Sequence, residues 1–254
     1  MMSSGRMSAC PAVILVHGLW LRRNPWLQWA AGCAGAIRAA GGQPVWFGYS
    51  RRVAWTAFLR PTGGTSAQLV RRFLALYVRV HARHGPPSVI AHSFGTYLVT
   101  RALSDFEDAR LHALILFGSI VSETFDWASI VARGQVTWAR MRNEVGAHAA
   151  AVRFAAALRR FGYPYGESGV TGFQLKARSP SMDARYAGPW LADAALARYC
   201  QGVWVPLLGL TQRPRRSLRT RTVAAPVQGG AMQGSMRLGR LKCRPDRQSS
   251  NLSW

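Results

Sequence analysis

Ser93 is the residue around which a reaction is easiest to write. It lies in Ala91-His-Ser-Phe-Gly95, between an apolar run at Ser88–His92 and a helix-like stretch reaching Leu103. A strand that turns at once into a helix needs small side chains two residues either side of the turn. Ala91 and Gly95 meet that need, with alanine in the first position where glycine is usual. Such a turn strains the backbone of the central serine and lifts its hydroxyl above the sheet edge. The free N–H groups of the following helix point at the same spot. The chemistry would be attack of the hydroxyl on a carbonyl, with backbone N–H groups holding the oxyanion. The pentapeptide alone is a weak signal, and its setting between strand and helix is what gives it weight.

The elements that must position this serine follow from hydrophobic pattern. Ala12–Val16 is a continuous apolar run, the mark of a strand buried on both faces of a parallel sheet. It ends in His17-Gly18-Leu19-Trp20, where a glycine lets the loop pass close to whatever binds at the strand's carboxyl end. Trp26–Ala40 reads as a helix closed by Gly41-Gly42, Pro44–Gly48 as a strand, and Tyr49–Leu59 as a loop or short helix. Gln68–His84 is amphipathic, with Leu69, Phe73, Tyr77 and Val80 on one face, and Gly85-Pro-Pro87 stops it. Leu111–Phe117 and Gln135–Glu144 are read as further strands, and Ala149–Phe161 and Leu191–Gln201 as helices. Gly162–Gly172 reads as a loop. Strand and helix patterns therefore alternate from residue 12 to residue 161, which predicts a three-layer α/β fold, a mostly parallel sheet with helices on both faces.

A chain of 254 residues suffices for one such domain, placed here at residues 12–210. From Thr211 the composition turns to Arg, Gly, Pro, Gln and Ser without period, so 211–254 is expected to be a disordered basic tail. No apolar run is long enough to span a bilayer and no signal-peptide pattern opens the chain, which makes the cytoplasm the expected location. The four cysteines have no paired spacing and read as reduced thiols, with no metal site. Net charge is +23, carried by 33 basic residues of which only Lys176 and Lys242 are lysines. Compositional bias toward arginine on solvated faces accounts for this most simply. A basic tail holding an anionic partner, nucleic acid included, is the sharper alternative.

With the strand before His17-Gly18, the serine turn, and Leu114–Ser119 in this order, the chain resembles the α/β-hydrolase superfamily. It is most similar to a bacterial esterase/lipase-like subgroup through Ala91–Tyr97, Phe125-Asp-Trp127, Arg142-Asn-Glu-Val145 and Tyr199–Leu208. The resemblance implies a serine hydrolase acting on an ester or related acyl bond of a small molecule, without metal or organic cofactor. Ser93 would be the nucleophile, the N–H groups of Phe94 and Leu19 the oxyanion hole, and His17, Gly18 and Gly95 its supports.

The family's order of Ser, then acid, then His is not met. The position expected for the acid, counted from Gly146, is Ala149. The segment before the last helix, where the histidine is expected, has none, and no histidine follows His148. Glu144 and Asp126 are the substitute acids and His148 the substitute base, while His92 reads as structural. Arg22 and Arg23 could meet an anionic substrate. Three readings stand: a hydrolase with impaired catalysis, a non-catalytic binding protein of the same fold with a basic surface, or a degenerated copy of an active ancestor. Oligomeric state is not legible.

Overall fold

The uninterrupted apolar strands of the sequence occupy the middle of the sheet. The structure is a computed structural model that describes residues 10–19, 26–146, 150–175, 182–185 and 193–210. Its six strands are β1 (Ala12–Val16), β2 (Gln43–Phe47), β3 (Ser88–His92), β4 (Leu114–Phe117), β5 (Met141–Val145) and β6 (Asp183–Arg185). They form one sheet in the order β2-β1-β3-β4-β5-β6. Every pairing is parallel. β1 and β4 are buried along their whole length, and β3 up to its last residue.

Alternate residues of these strands feed two separate cores. Ile14, Val16, Val89, Ala91, Leu114 and Leu116 face one core. It is filled from α2 (Arg51–Leu59), α3 (Gly64–His84) and α4 (Phe94–Asp105). Val13, Leu15, Ile90, Ile115 and Phe117 face the other. That side is closed by α1 (Trp26–Ala39), α8 (Asp193–Tyr199), the π-helical turn Cys200–Trp204 and α9 (Val205–Leu207). The doubly covered parallel sheet predicted from strand–helix alternation is therefore present.

The predicted inner face of α3 is buried at Leu69, Phe73, Tyr77 and Val80, and Gly85 ends the helix at φ 78°. Tyr49–Leu59 resolves into Ser50, which caps α2 through its hydroxyl, and the helix itself. Three expectations need correction. The strand read over Gln135–Glu144 is only β5, preceded by the 3-10 turn Trp138–Arg140. Gln135 instead turns its buried amide onto Leu103 O at 2.9 Å and Phe106 O at 3.0 Å, tying the loop to the end of α4. Gly162–Gly172 is not all loop, because Ser168–Thr171 forms the single turn α7. β6 lies in a segment whose pattern predicted no strand, a three-residue edge that pairs with β5.

Cys33 and Cys200 are not joined in a disulfide. Their wide sequence spacing conceals one meeting: Cys33 on α1 hydrogen-bonds Cys200, and that bond with burial holds the Cys33 thiol well above its ordinary pKa. Residues 211–254 lie outside the described residues. Among the described residues no helix is long and apolar enough to cross a membrane.

Candidate active site

The chain enters the sheet at β1, moves to β2 on one side, and returns to β3 on the other. Successive connections leave in opposite directions at the carboxyl ends of β1 and β3, the crevice where open parallel sheets place ligands. His17-Gly18 follows β1 at this point, and Ser93 follows β3.

Ser93 has φ 50° and ψ −121°, and it is the one non-glycine residue with positive φ among the described residues. A conformation of this kind costs about 1–3 kcal/mol and persists only where the surroundings enforce it. The enforcement is visible. Ser93 N–H donates to Phe117 O at 3.1 Å. Its carbonyl accepts from Thr96 N–H at 2.9 Å and from the Thr96 hydroxyl at 2.6 Å. Although Ser93 precedes α4, its side chain makes no capping bond. Its hydroxyl has no hydrogen-bond partner among the described residues.

Two glycines let the loop after β1 close on this turn. A Cβ on Gly18 would stand 2.5 Å from Ser93 Cβ and 3.0 Å from Ser93 Oγ. One on Gly95 would stand 2.5 Å from the carbonyl oxygen of His17. Both contacts are shorter than any side chain tolerates, so the His17-Gly18 backbone lies directly over the serine. Phe94, which follows Ser93, is fully buried as the first residue of α4, and Leu19 follows Gly18 in the loop.

His17 is the peg that holds the loop. Its Nδ1–H donates to Gly18 O at 2.8 Å and its Nε2 accepts from Tyr49 N–H at 3.2 Å. The Tyr49 hydroxyl donates to His17 O, and the two rings stack at 3.8 Å. Burial lowers the His17 pKa to about 4, so the ring is neutral with both nitrogens engaged. His92 projects to the opposite face and stacks on Phe117 at 4.5 Å. Its edge keeps some exposure, yet dense packing and then the proximity of His17 lower its pKa to about 4.

A buried polar chain underlies the turn. The Thr96 hydroxyl accepts from Ile120 N–H at 3.3 Å and the Ser119 hydroxyl at 3.5 Å, and Ser119 in turn accepts from the Ser168 hydroxyl at 2.9 Å. Asn143 Nδ2 donates to Ser168 O at 2.8 Å and to Asp183 Oδ1 at 2.7 Å. Hydrogen bonds thus run from the carbonyl of Ser93 across β4 and β5 to the edge strand. Sequence alone marked Ser119 only as a strand ending and assigned nothing to Thr96, Asn143, Ser168 or Asp183. Small hydroxyl and amide residues scattered over ninety positions leave no periodic trace.

The two substitute acids each have partners of their own. Glu144 is fully buried on the α8 side of the sheet. It accepts from Arg142 Nε at 2.5 Å, Trp204 Nε1 at 2.7 Å and the Tyr199 hydroxyl at 3.0 Å. Asp126 caps α5 (Trp127–Ala132), accepting from Ser129 N–H at 3.2 Å and the Ser129 hydroxyl at 2.5 Å. Among the other histidines, His84 Nδ1 lies 3.0 Å from Cys10 O, His81 packs on Tyr77, and His112 is held by Leu208. His148, Ala149, Arg22 and Arg23 lie outside the described residues.

No family model matches the chain, and no curated protein sequence does. Among solved structures it is similar to a cold-adapted esterase from an Arctic intertidal metagenomic library, at 16% identity over 77% of this chain and 83% of that one, with a TM-score of 0.44. A cutinase-like protein from Cryptococcus sp. aligns at 12% identity over 80% of this chain and 98% of that one, TM-score 0.41. A Bacillus licheniformis lipase aligns at 14% identity over 79% and 92% respectively, TM-score 0.41. The reading of the site rests on its own geometry and not on these distant likenesses.

Proposed function

We propose that this chain, an α/β-hydrolase by fold, is a serine hydrolase that cleaves a carboxylic ester or related acyl bond at Ser93. The observation that carries the reading is the strained Ser93, with an uncommitted hydroxyl at the start of α4 and the Gly18 backbone packed over it. In the proposed reaction Ser93 Oγ adds to the acyl carbonyl, and the oxyanion forms between the N–H groups of Phe94 and Leu19. Collapse expels the alcohol and leaves an acyl-serine, which water then hydrolyses through a second tetrahedral adduct.

Each attack, by the serine and then by water, needs a base that takes the proton and returns it to the departing oxygen on collapse. His17 is engaged at both nitrogens, and His81, His84, His92 and His112 are occupied elsewhere. His148 is taken as the base, and the bonds that Glu144 and Asp126 make to other partners speak against either as its acid. A base without a supporting acid gives a slower enzyme than a full triad. Labelling by a fluorophosphonate probe tests the assignment. The probe is expected to label the wild-type chain, to fail on Ser93→Ala, and to label His148→Ala at least a hundredfold more slowly. Normal labelling of Ser93→Ala sinks the serine assignment, and normal labelling of His148→Ala sinks the base.

One observation favours a second reading, a non-catalytic binding protein of the same fold. No described side chain is within hydrogen-bond reach of Ser93 Oγ, so a carbonyl ligand could be held in the N–H cradle without being cleaved. Absence of labelling in the folded wild-type chain, with retained binding of a small ester, selects this reading.

A further inference from the structure

The segment from α6 (Ala150–Ala157) into the 3-10 turn Leu158–Phe161 carries a second feature, unrelated to the serine. Its inner face is apolar and buried at Val152 and Ala155. Its outer face is unusual for a helix in water. Phe154 is 55% exposed and Phe161 77% exposed. These rings are seven residues apart, one on α6 and one at the end of the 3-10 turn that continues it. Arg153 and Arg160 precede them by one residue each, and both are exposed. Exposed Ala150 and Ala157 fill the rest of the face.

Neither Arg153 nor Arg160 has a carboxylate partner among the described residues. Arg159, by contrast, is paired to Glu123 at 2.5 Å and holds Tyr165 O at 3.1 Å. Arg153 and Arg160 line a cleft of about 660 Å³ floored by Ala156 and Ala157, with Glu167 as its acid. A cation-lined cleft beside two exposed rings has two chemical demands, an anion for the guanidinium groups and an apolar phase for the rings. Stacked nucleobases would meet both, but a single-strand site needs a groove with aromatic platforms. Here Phe154 and Phe161 are not among the residues that line the cleft, which offers alanine in place of aromatic platforms. A bilayer surface meets both demands at one depth, with phosphates at the guanidinium level and acyl chains below.

We infer that the α6 face docks on membranes rich in anionic phospholipid, with Arg153 and Arg160 on headgroup phosphates and Phe154 and Phe161 in the acyl boundary. The inference does not depend on the assignment of Ser93.

The test is co-sedimentation of the full chain with phosphatidylcholine vesicles, with and without phosphatidylglycerol. Wild type, Phe154→Ser/Phe161→Ser and Arg153→Gln/Arg160→Gln are compared, each with a thermal melt to show that it is folded. Wild type is expected to sediment with the anionic vesicles and scarcely with neutral ones. The arginine pair should weaken binding roughly 30-fold, taking about 1 kcal/mol for each charge at an anionic surface. The phenylalanine pair should weaken it on the order of tenfold without changing net charge, and should be the pair whose effect persists at high salt. Binding unchanged in both folded variants overturns the inference and assigns vesicle affinity to the general charge of the chain. A dimer that Phe154→Ser/Phe161→Ser dissociates gives the face to a second copy instead. Competition by free glycerol phosphate with no effect of the phenylalanine pair reduces it to a soluble phosphate site. Loss of single-stranded DNA binding in the variants, with vesicle binding intact, makes it a nucleic-acid face.

Discussion

The carboxyl ends of β1 and β3 differ in kind from the carboxyl end of β5, although all three belong to one sheet. At the first, backbone strain is concentrated in Ser93, the hydroxyl has no partner among the described residues, and two glycines admit a loop directly above it. At the second, polar groups are numerous and mostly paired: Glu144 accepts from three donors, and Asn143 Nδ2 bridges Ser168 to Asp183, while Asn143 Oδ1 stays buried without a hydrogen bond among the described residues. Buried carboxylates look catalytic in a sequence, yet one ringed by arginine, tyrosine and tryptophan is a structural joint. A polar atom held in strain and left unsatisfied is the better mark of chemistry, because the fold gains nothing from keeping it that way.

Four experiments break or sharpen this contrast. The largest effect is expected for Ser93→Ala, where covalent labelling falls to background while urea unfolding stays within about 0.5 kcal/mol of wild type. Glu144→Leu should reverse the pattern. It leaves Arg142, Tyr199 and Trp204 without their acceptor and costs about 3–5 kcal/mol of stability, while the folded fraction labels within about twofold of wild type. If Glu144→Leu abolishes labelling in protein shown to be folded, the carboxylate belongs to the chemistry after all.

The third effect is of pH. His17 has a folded pKa of about 4 against an ordinary value of 6.5. The unfolded chain therefore takes up its proton first, and the His17 contribution is complete above pH 6.5 and is lost as pH falls toward 4. The loss amounts to about 3 kcal/mol over that window. His92 acts in the same direction. Urea midpoints measured between pH 7 and pH 4.5 should fall accordingly, with a shallower slope in a folded His17→Asn variant. An unchanged slope would place the titration elsewhere. The smallest effect is expected for Ser93→Gly. It ends labelling as alanine does but raises stability by about 1 kcal/mol, since glycine accepts positive φ without strain. A loss of stability there would contradict the claim that the turn is strained.

Legibility divided along the same line. The continuous apolar runs of β1, β3 and β4 were readable because strands covered on both faces need no polar side chain. The serine turn was readable because small residues at fixed offsets are a local requirement. β6 was not readable, being three residues long and half-exposed at the sheet edge. The strand over Gln135–Glu144 was misread because Gln135 is buried by its bonds to α4 and not by strand pairing. The partners of the acids were unreadable for a related reason. Arg142-Asn-Glu-Val145 and Tyr199–Leu208 were separate stretches of likeness, and only folding shows that they share one contact, Trp204 Nε1 donating to Glu144 across 60 positions of sequence.

What the sequence by itself determined is therefore the sheet, its two helical layers and the display of Ser93. Each depends on hydrophobic period or on steric limits within a few residues, and both are written locally. What only the tertiary structure decided is the use of each polar side chain. A carboxylate or imidazole has the same letter whether it caps a helix, pins a loop or sits beside a nucleophile, and its partners are chosen by contacts between distant segments. His17 as a neutral peg, Glu144 as a joint and Asp126 as a cap are decisions of that kind, made by burial and hydrogen bonding after the chain has closed on itself.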